Sequence, residues 1–289
     1  MKGIILAGGT GSRLWPITLV TSKQLLPLYD KPMIYYPLST LMLAGLREIA
    51  VITTLEQEHL FKSLLGDGSQ WGIELSFIPQ DKPDGLPNAY ILAEDFLEGE
   101  SSLLILGDNI FSGSGLGTAL NKQITINEGA KIFGYQVNNP ENYGVVEIDV
   151  SGSVLSMEEK PKSPKSNWVI PGLYFADGTS TERAKRLEKS KRGETEIIDF
   201  LHSYLDDNQL TVEKISRGAV WLDTGSFEDL ALASEYVRVI EQRQGHKISC
   251  PEEIAWRQGW ITDTDIQNTA KKLGKSPYAN YLMQLIDES

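Results

Sequence analysis

Cysteine is almost missing from this chain: Cys250 is the only one in 289 residues. An intrachain disulfide and any multi-cysteine metal site are thereby excluded, a reducing compartment is the natural setting, and Cys250 reads as a small buried apolar residue. Histidine is scarce too. His59, His202 and His246 share no metal-like spacing and read as surface or structural residues. Positive charge is in deficit, with 27 Lys and Arg against 39 Asp and Glu and a formal net charge of −12, so most of the surface would repel a nucleic-acid backbone. Any bound polyanion must be gripped by a local cationic patch. No run approaches the roughly 20 apolar residues that span a bilayer, and Gly8 and Gly9 cut the first apolar run well short of a secretion signal. The expectation is a cytoplasmic protein with neither a nucleic-acid nor a membrane partner. Repeats, low-complexity tracts and flexible linkers are also lacking. The hydrophobic share, 41%, suffices for one large core or a core with a modest accessory unit.

What is present is alternation. Short apolar runs at Lys2 to Ala7, Ile49 to Thr53, Ile73 to Ile78 and Leu103 to Leu106 read as buried strands. Between them, Ile34 to Leu46, Gln57 to Leu65 and Pro87 to Phe96 carry helical spacing, with Pro87 suited to a first turn. The pattern predicts an α/β fold: a Rossmann-like, mostly parallel sheet flanked by helices, with ligands at the carboxyl ends of its strands. After Lys131 the runs shorten, at Lys131 to Val137, Tyr143 to Asp149 and Val154 to Glu158, and predict antiparallel additions to the sheet. Helical spacing resumes at Thr181 to Leu187, Glu196 to Leu205 and Phe227 to Ile240. From Pro251 onward the pattern predicts three short helices started by Pro, Thr or Ser. The expected organisation is an α/β unit over 1–245 with a helical extension, 246–289, packed on it.

The loop after the first strand reads Gly8-Gly9-Thr10-Gly11-Ser12-Arg13. Three glycines in four positions let the backbone turn with N–H groups inward, a nest suited to phosphate oxygens. It lacks the Gly-Lys-Ser/Thr ending of an ATPase loop, and Leu14 stands where the dinucleotide fingerprint needs a third glycine. Arg13 and Lys23 supply two cations, one a fork and one a point charge. By itself the loop supports either an anionic ligand or a tight turn with two solvated cations. Asp108, directly after LLILG, and Asp223, in WLDTG, lie at strand ends far apart in sequence. Such a pair can share a divalent ion, and either aspartate alone is equally a turn former or helix cap.

The segments GGTGSRLWPIT and SKQLLPLYDKPMIYYPLSTLMLAGLRE, followed in order by LLGDGSQWG, LGDNIF, YGVVE, EEKP, GLYF, WLDTG and SCPEEIA, span the chain. This series resembles the glucose-1-phosphate thymidylyltransferases, a branch of the sugar-phosphate nucleotidylyltransferase family. The resemblance implies transfer of a thymidylyl group from dTTP to glucose 1-phosphate by Mg²⁺-assisted in-line displacement, releasing pyrophosphate. It implies Arg13, Lys23 and Lys160 as catalytic cations, Asp108 and Asp223 as Mg²⁺ ligands, and the loop residues Gly8, Gly9, Gly11 and Ser12 around the phosphates. Gln24, Gln80 and Gly85 match positions around the nucleoside, and Asn109, Tyr143, Gly144, Glu159, Ile170 and Tyr174 match positions lining the sugar. Relatives are commonly homotetramers, so a homo-oligomer is implied as well.

The chain departs from the pattern after LGDNIF, where Ser112-Gly113-Ser114-Gly115 replaces an aromatic residue and a histidine. That region, with Arg217, Ser249, Glu253 and Arg257, corresponds to a regulatory nucleotide site in relatives, and feedback control is not expected here. Asn88, Ile198, Phe200 and Phe227 also depart, and are expected to repack a helix rather than alter sugar preference. Two other readings stay open: a sibling enzyme that uses UTP, and a sugar-nucleotide sensor without catalysis.

Overall fold

The computed structural model describes residues 1–124, 128–191 and 193–287. In chain order its strands are β1 (Lys2–Leu6), the hairpin β2 (Pro27–Leu28) and β3 (Lys31–Pro32), β4 (Glu48–Thr54), β5 (Glu74–Gln80), β6 (Ser102–Leu106) and β7 (Asn109–Ser112). There follow β8 (Ala130–Gln136), β9 (Gly144–Ile148), β10 (Val154–Glu159), β11 (Trp168–Val169), β12 (Leu173–Ala176), β13 (Leu210–Lys214) and β14 (Val220–Asp223). Ten of them form one sheet in the order β10-β9-β11-β8-β12-β6-β1-β4-β5, with β13 also paired to β8.

The central strands are parallel, β6 and β4 flanking β1 and β5 lying beyond β4. Their continuous apolar runs follow from burial on both faces. Successive residues go to opposite sides: Ile5, Val51, Leu103 and Ile105 join one apolar cluster, Ile4, Ile52 and Leu104 the other. The additions predicted after Lys131 are present as β8, β9 and β10, and a further antiparallel strand that was not predicted, β12, sits inside the sheet between β6 and β8. Running against β6, it brings its amino end to the same rim as the carboxyl end of β6, where the Leu106 N–H donates to the Gly172 carbonyl at 2.9 Å.

Helix α1 (Tyr35–Leu43) is buried from Tyr36 to Met42. A helix apolar on every side belongs in the middle of a protein. It packs against the sheet, against β7, and against the C-terminal helix α9 (Pro251–Arg257). On the first face also lie α2 (Glu58–Leu65) and, near α1, α5 (Leu116–Asn121). The second face is covered by α3 (Asn88–Leu92), α4 (Glu94–Leu97), α6 (Ser180–Lys185) and α7 (Ile197–Leu205). The predicted helix from Pro87 to Phe96 is thus two short ones, broken at Ala93.

Beyond the long α8 (Phe227–Gln244), the tail folds as α9, α10 (Asp263–Leu273) and α11 (Pro277–Asp287). Pro251 occupies the first turn of α9, Thr262 makes a capping box with Asp265, and the Ser276 hydroxyl accepts from the Ala279 N–H. Cys250, Ile254, Ile266, Ala270 and Leu282 belong to the same apolar cluster as Ile5 and Leu38. Among the described residues no helix is long and apolar enough to cross a membrane.

A ring of charges, buried at Lys31 and Glu241 and open to solvent at Asp30, joins the hairpin β2–β3 to the end of α8. Lys31 Nζ lies 2.6 Å from Asp30 Oδ1 and 2.9 Å from Glu241 Oε1. Lys247 Nζ lies 2.7 Å from Glu241 Oε2 and also pairs with Asp30. Burial opposes ionisation of Asp30, but the Lys31 and Lys247 ammoniums outweigh it and hold its carboxyl below the ordinary range. The sign follows: a depressed folded pKa stabilises above the unfolded value, about 4, and the contribution is lost as pH falls through and below it. Urea melts across this range should show that acid loss in the wild type. Asp30→Asn should lack this component and be weaker at neutral pH by about 1 kcal/mol, since two lysines lose a counterion at a partly solvent-screened site.

Candidate active site

The glycine loop leaves β1 at the sheet rim. Gly11 adopts φ +62°, and its carbonyl accepts from Thr18 Oγ1 at 2.7 Å and from the Leu14 N–H at 2.9 Å, closing a 3₁₀ turn over Ser12–Leu14. A cavity of about 290 Å³ opens above it, lined by Gly9, Gly11, Ser12, Arg13, Lys23, Gln24 and Asp108 among others. Arg13 is exposed and makes no ion pair with any described residue. Lys23 is buried, and its Nζ lies 2.7 Å from Asp108 Oδ2. Gln24 is oriented by Ser22, whose hydroxyl donates to Gln24 Oε1 at 2.6 Å.

Gly8 lies beneath the loop: a Cβ there would stand 2.1 Å from Gln80 Oε1. Gln80 is buried at the carboxyl end of β5. Gly85, expected near the nucleoside, lines neither this cavity nor its neighbour. With φ +103°, it is bridged to Thr195, and a Cβ would stand 2.0 Å from the Thr195 carbonyl oxygen. The two glycines should therefore fail differently. Gly8→Ala displaces the end of a flexible side chain, so the nucleotide KM should rise about tenfold with little change in stability. Gly85→Ala meets backbone in a strained conformation and should cost about 2 kcal/mol or more, read as a fall in Tm.

A second cavity of about 250 Å³ adjoins the first and shares Arg13, Asp108 and Gly225 with it. Tyr143, Gly144, Glu159, Lys160, Ile170 and Tyr174 line it together with Asn109 and Asp223, so the expected sugar residues are brought together. Gly144 sits close against the wall of this cavity, where a Cβ would stand 3.3 Å from Glu159 Oε2. Lys160 is a non-glycine residue at φ +45°, with its N–H bonded to the Tyr143 carbonyl at 3.0 Å and its Nζ 3.9 Å from Glu159 Oε1. Such backbone strain persists where surrounding structure holds it, commonly at functional positions.

Asp223 reaches this junction by a route the sequence pattern does not reveal. Strand β14 lies outside the main sheet and pairs antiparallel with β7, placing Asp223 opposite Asn109, next to Asp108. Thr224, fully buried, donates from Oγ1 to the Asp108 carbonyl at 3.1 Å and clamps the two turns together. Burial, then the Asp229 and Asp108 carboxylates, push the Asp223 carboxyl above the ordinary range, against the pull of Lys23. Asp229, in the first turn of α8 and hydrogen-bonded to Ser226 Oγ at 2.6 Å, was not foreseen. Burial and these same two carboxylates, Asp223 and Asp229, also raise the Tyr143 phenol.

Trp221 is a second residue the sequence reading missed. It lines the sugar-side cavity, stands edge-on to Tyr143 at 5.2 Å, and donates from Nε1 to Asn109 Oδ1 at 2.6 Å. Its place in WLDTG, two residues before Asp223, was the available signal. Of the departures, Phe200 lies in the core, stacked on Tyr90 at 4.8 Å, whereas Ile198 faces the cavity. Phe227 is exposed.

Asp223, whose proton affinity the neighbouring Asp108 carboxylate raises, and Asp108 itself, beside three cations and a glycine nest, suit a divalent ion with phosphate oxygens. Mg²⁺ takes one or two carboxylates and completes its shell with phosphate and water, so Asp108 and Asp223 fit it. Among the described residues no group of three or more His, Cys, Asp or Glu forms a closed metal cage.

A parallel-sheet rim with a phosphate nest, cations and paired aspartates defines an enzyme that transfers nucleotidyl groups. The profile described as nucleotidyl transferase matches residues 2–239. Glucose-1-phosphate thymidylyltransferase of Mycobacterium tuberculosis is 53% identical over 289 residues, 100% of both chains. That of Xanthomonas campestris pv. campestris is 51% identical over 284 residues, 98% of this chain and 96% of its own. The chain belongs to the glucose-1-phosphate thymidylyltransferase branch of the nucleotidyl transferase family. The crystal structure of a Bacillus anthracis protein described as a glucose-1-phosphate thymidylyltransferase, in complex with a sucrose, superposes with TM-score 0.76 at 40% identity, covering 82% of this chain and 95% of that one. UDP-glucose pyrophosphorylase complexed with UDP-glucose shares the fold, with TM-score 0.72 at 22% identity over 83% of this chain and 98% of that one.

Proposed function

We infer that this chain transfers the thymidylyl group of dTTP to glucose 1-phosphate, giving dTDP-glucose and pyrophosphate. The observation that carries the reading is the meeting of two cavities, one glycine-lined and one lined by Tyr143, Glu159 and Tyr174, at Arg13 and Asp108. Names of relatives at 51–53% identity over nearly the whole chain support the substrates.

A phosphate monoester with a second pKa of about 6 is largely a dianion at neutral pH, so the sugar phosphate needs no general base. What the protein must supply is position and charge. Lys160, projecting from its left-handed turn, holds the incoming phosphate, and Glu159 accepts from sugar hydroxyls. Arg13, open to both cavities, spans the two phosphate groups. Lys23 and the loop N–H groups face the triphosphate, and Gln24 and Gln80 pair with the pyrimidine edge. Mg²⁺, held by Asp108 and Asp223, would polarise phosphate oxygens and offset charge on the departing pyrophosphate.

The test is pyrophosphate release with a panel of nucleoside triphosphates and sugar 1-phosphates. Highest kcat/KM for dTTP with glucose 1-phosphate is expected; a preference for UTP would move the chain to the uridylyl siblings, and no release with any pair would leave a sensor. Direct displacement requires inversion at a chiral α-phosphorus, and retention would point to a covalent intermediate. The resemblance also supports a homotetramer, which light scattering tests.

A further inference from the structure

We propose that Asn109 is a positioning residue that aims the Asp108 carboxylate at the metal, in addition to any contact with the sugar. The inference rests on the assignment of Asp108 and Asp223 to Mg²⁺ above.

Asn109 is buried at the start of β7. Its amide group is the point where three chain segments meet. Oδ1 accepts the Trp221 indole N–H at 2.6 Å and the Gly172 N–H at 3.1 Å. Both partners are obligate donors, so the oxygen must face them, and the nitrogen is turned toward Asp108 Oδ1, 2.8 Å away. The remaining Asp108 oxygen, Oδ2, takes Lys23. Each carboxylate oxygen therefore has a fixed donor, and the rotation of Asp108 is set through Asn109 by a strand on either side.

The surroundings are built for this amide. Gly172 has no side chain because a Cβ would stand 2.9 Å from Asn109 Oδ1 and 2.5 Å from Leu106. Trp221 is fixed by edge contacts with Tyr135 and Tyr143. Since Asp223 is the cross-strand partner of Asn109, the same residue ties the two aspartates into one unit. An amide whose function was sugar binding alone would leave its oxygen toward the cavity; here that oxygen is fully engaged by protein donors.

The experiment compares metal and sugar-phosphate binding in the full-length protein. Mn²⁺ alone is titrated by electron paramagnetic resonance, and glucose 1-phosphate is titrated by calorimetry without metal. In Asn109→Ser, Mn²⁺ affinity is expected to fall by about tenfold or more, the effect of losing a residue that orients a metal ligand. Glucose 1-phosphate affinity, which registers any contact of Asn109 with the sugar, should fall by less than Mn²⁺ affinity does. Trp221→Phe keeps the ring and deletes one donor, and should weaken Mn²⁺ in the same direction; it serves if Asn109→Ser does not fold. Unchanged Mn²⁺ affinity in the folded variants overturns the proposal, as does an equal loss of both ligands. Wild-type turnover, assayed alongside, separates the cases: active enzyme with metal-insensitive variants defeats this inference, while inactive wild-type protein defeats the functional reading.

Discussion

Asp108→Asn and Asp223→Asn are each expected to lower kcat on the order of 10³-fold at ordinary Mg²⁺ concentration. Asp108 lines both the phosphate and the sugar cavities, Asp223 lines the sugar cavity beside it, and the β7–β14 ribbon holds the two together. Asparagine has the same shape and leaves that ribbon intact, so the loss measures charge rather than folding. A factor of 10³ corresponds to about 4 kcal/mol of transition-state stabilisation, in keeping with the several kcal/mol that a bound divalent ion supplies. The two variants should differ in one respect. Asp108→Asn also removes the carboxylate facing Lys23, leaving a buried ammonium with a neutral partner, so it should lower thermal stability more than Asp223→Asn does. Removing like charge from beside Asp108 has the opposite tendency in Asp223→Asn, whose own carboxyl is pushed up by burial and neighbouring acids. Pyrophosphate release and thermal melts measure both. Near-normal turnover in either variant would defeat the metal assignment.

Arg13→Ala should lower kcat/KM by about 10² to 10³, the loss typical of one preorganised charge at a reacting centre. Arg13 lines both cavities and has no partner among the described residues that would compete for its guanidinium. Because it is exposed and unpaired, the same change should leave stability within about 0.5 kcal/mol. Arg13→Lys should recover only part of the rate, since an ammonium cannot bridge two oxygens as a planar fork does. Full activity in Arg13→Ala would show that the loop's N–H groups and Lys23 suffice without it.

The legibility of this protein was uneven, for reasons that lie in the range of the interactions. Strand β1 and its neighbours could be read because a strand buried on both faces is written as a local apolar run, and the turn after it as glycine. The helix caps at Pro251, Thr262 and Ser276 were legible for the same reason, a signal contained within four residues. Strand β12 was hidden: its four residues carry no alternation, and only its pairing with β6 and β8 makes it a strand. Asp229 was passed over because nothing next to it marks it as chemical, and Trp221 because its motif, WLDTG, was read only for its aspartate. The sugar residues were named by resemblance, and their convergence came from the structure.

Composition and local pattern alone established an acidic α/β chain without disulfides, a phosphate-suited loop at the first strand, and the ordered motifs of a nucleotidyl transferase. These properties depend on residues within a turn or two of one another. Tertiary structure decided that Asp108 and Asp223 share a site, that Lys23 faces Asp108, and that Gly85 is bridged to Thr195. Each of these depends on segments many residues apart, as with Asn109 and Trp221, 112 positions from one another. Such pairings are set by the packing of the whole core, and no short stretch of sequence contains them.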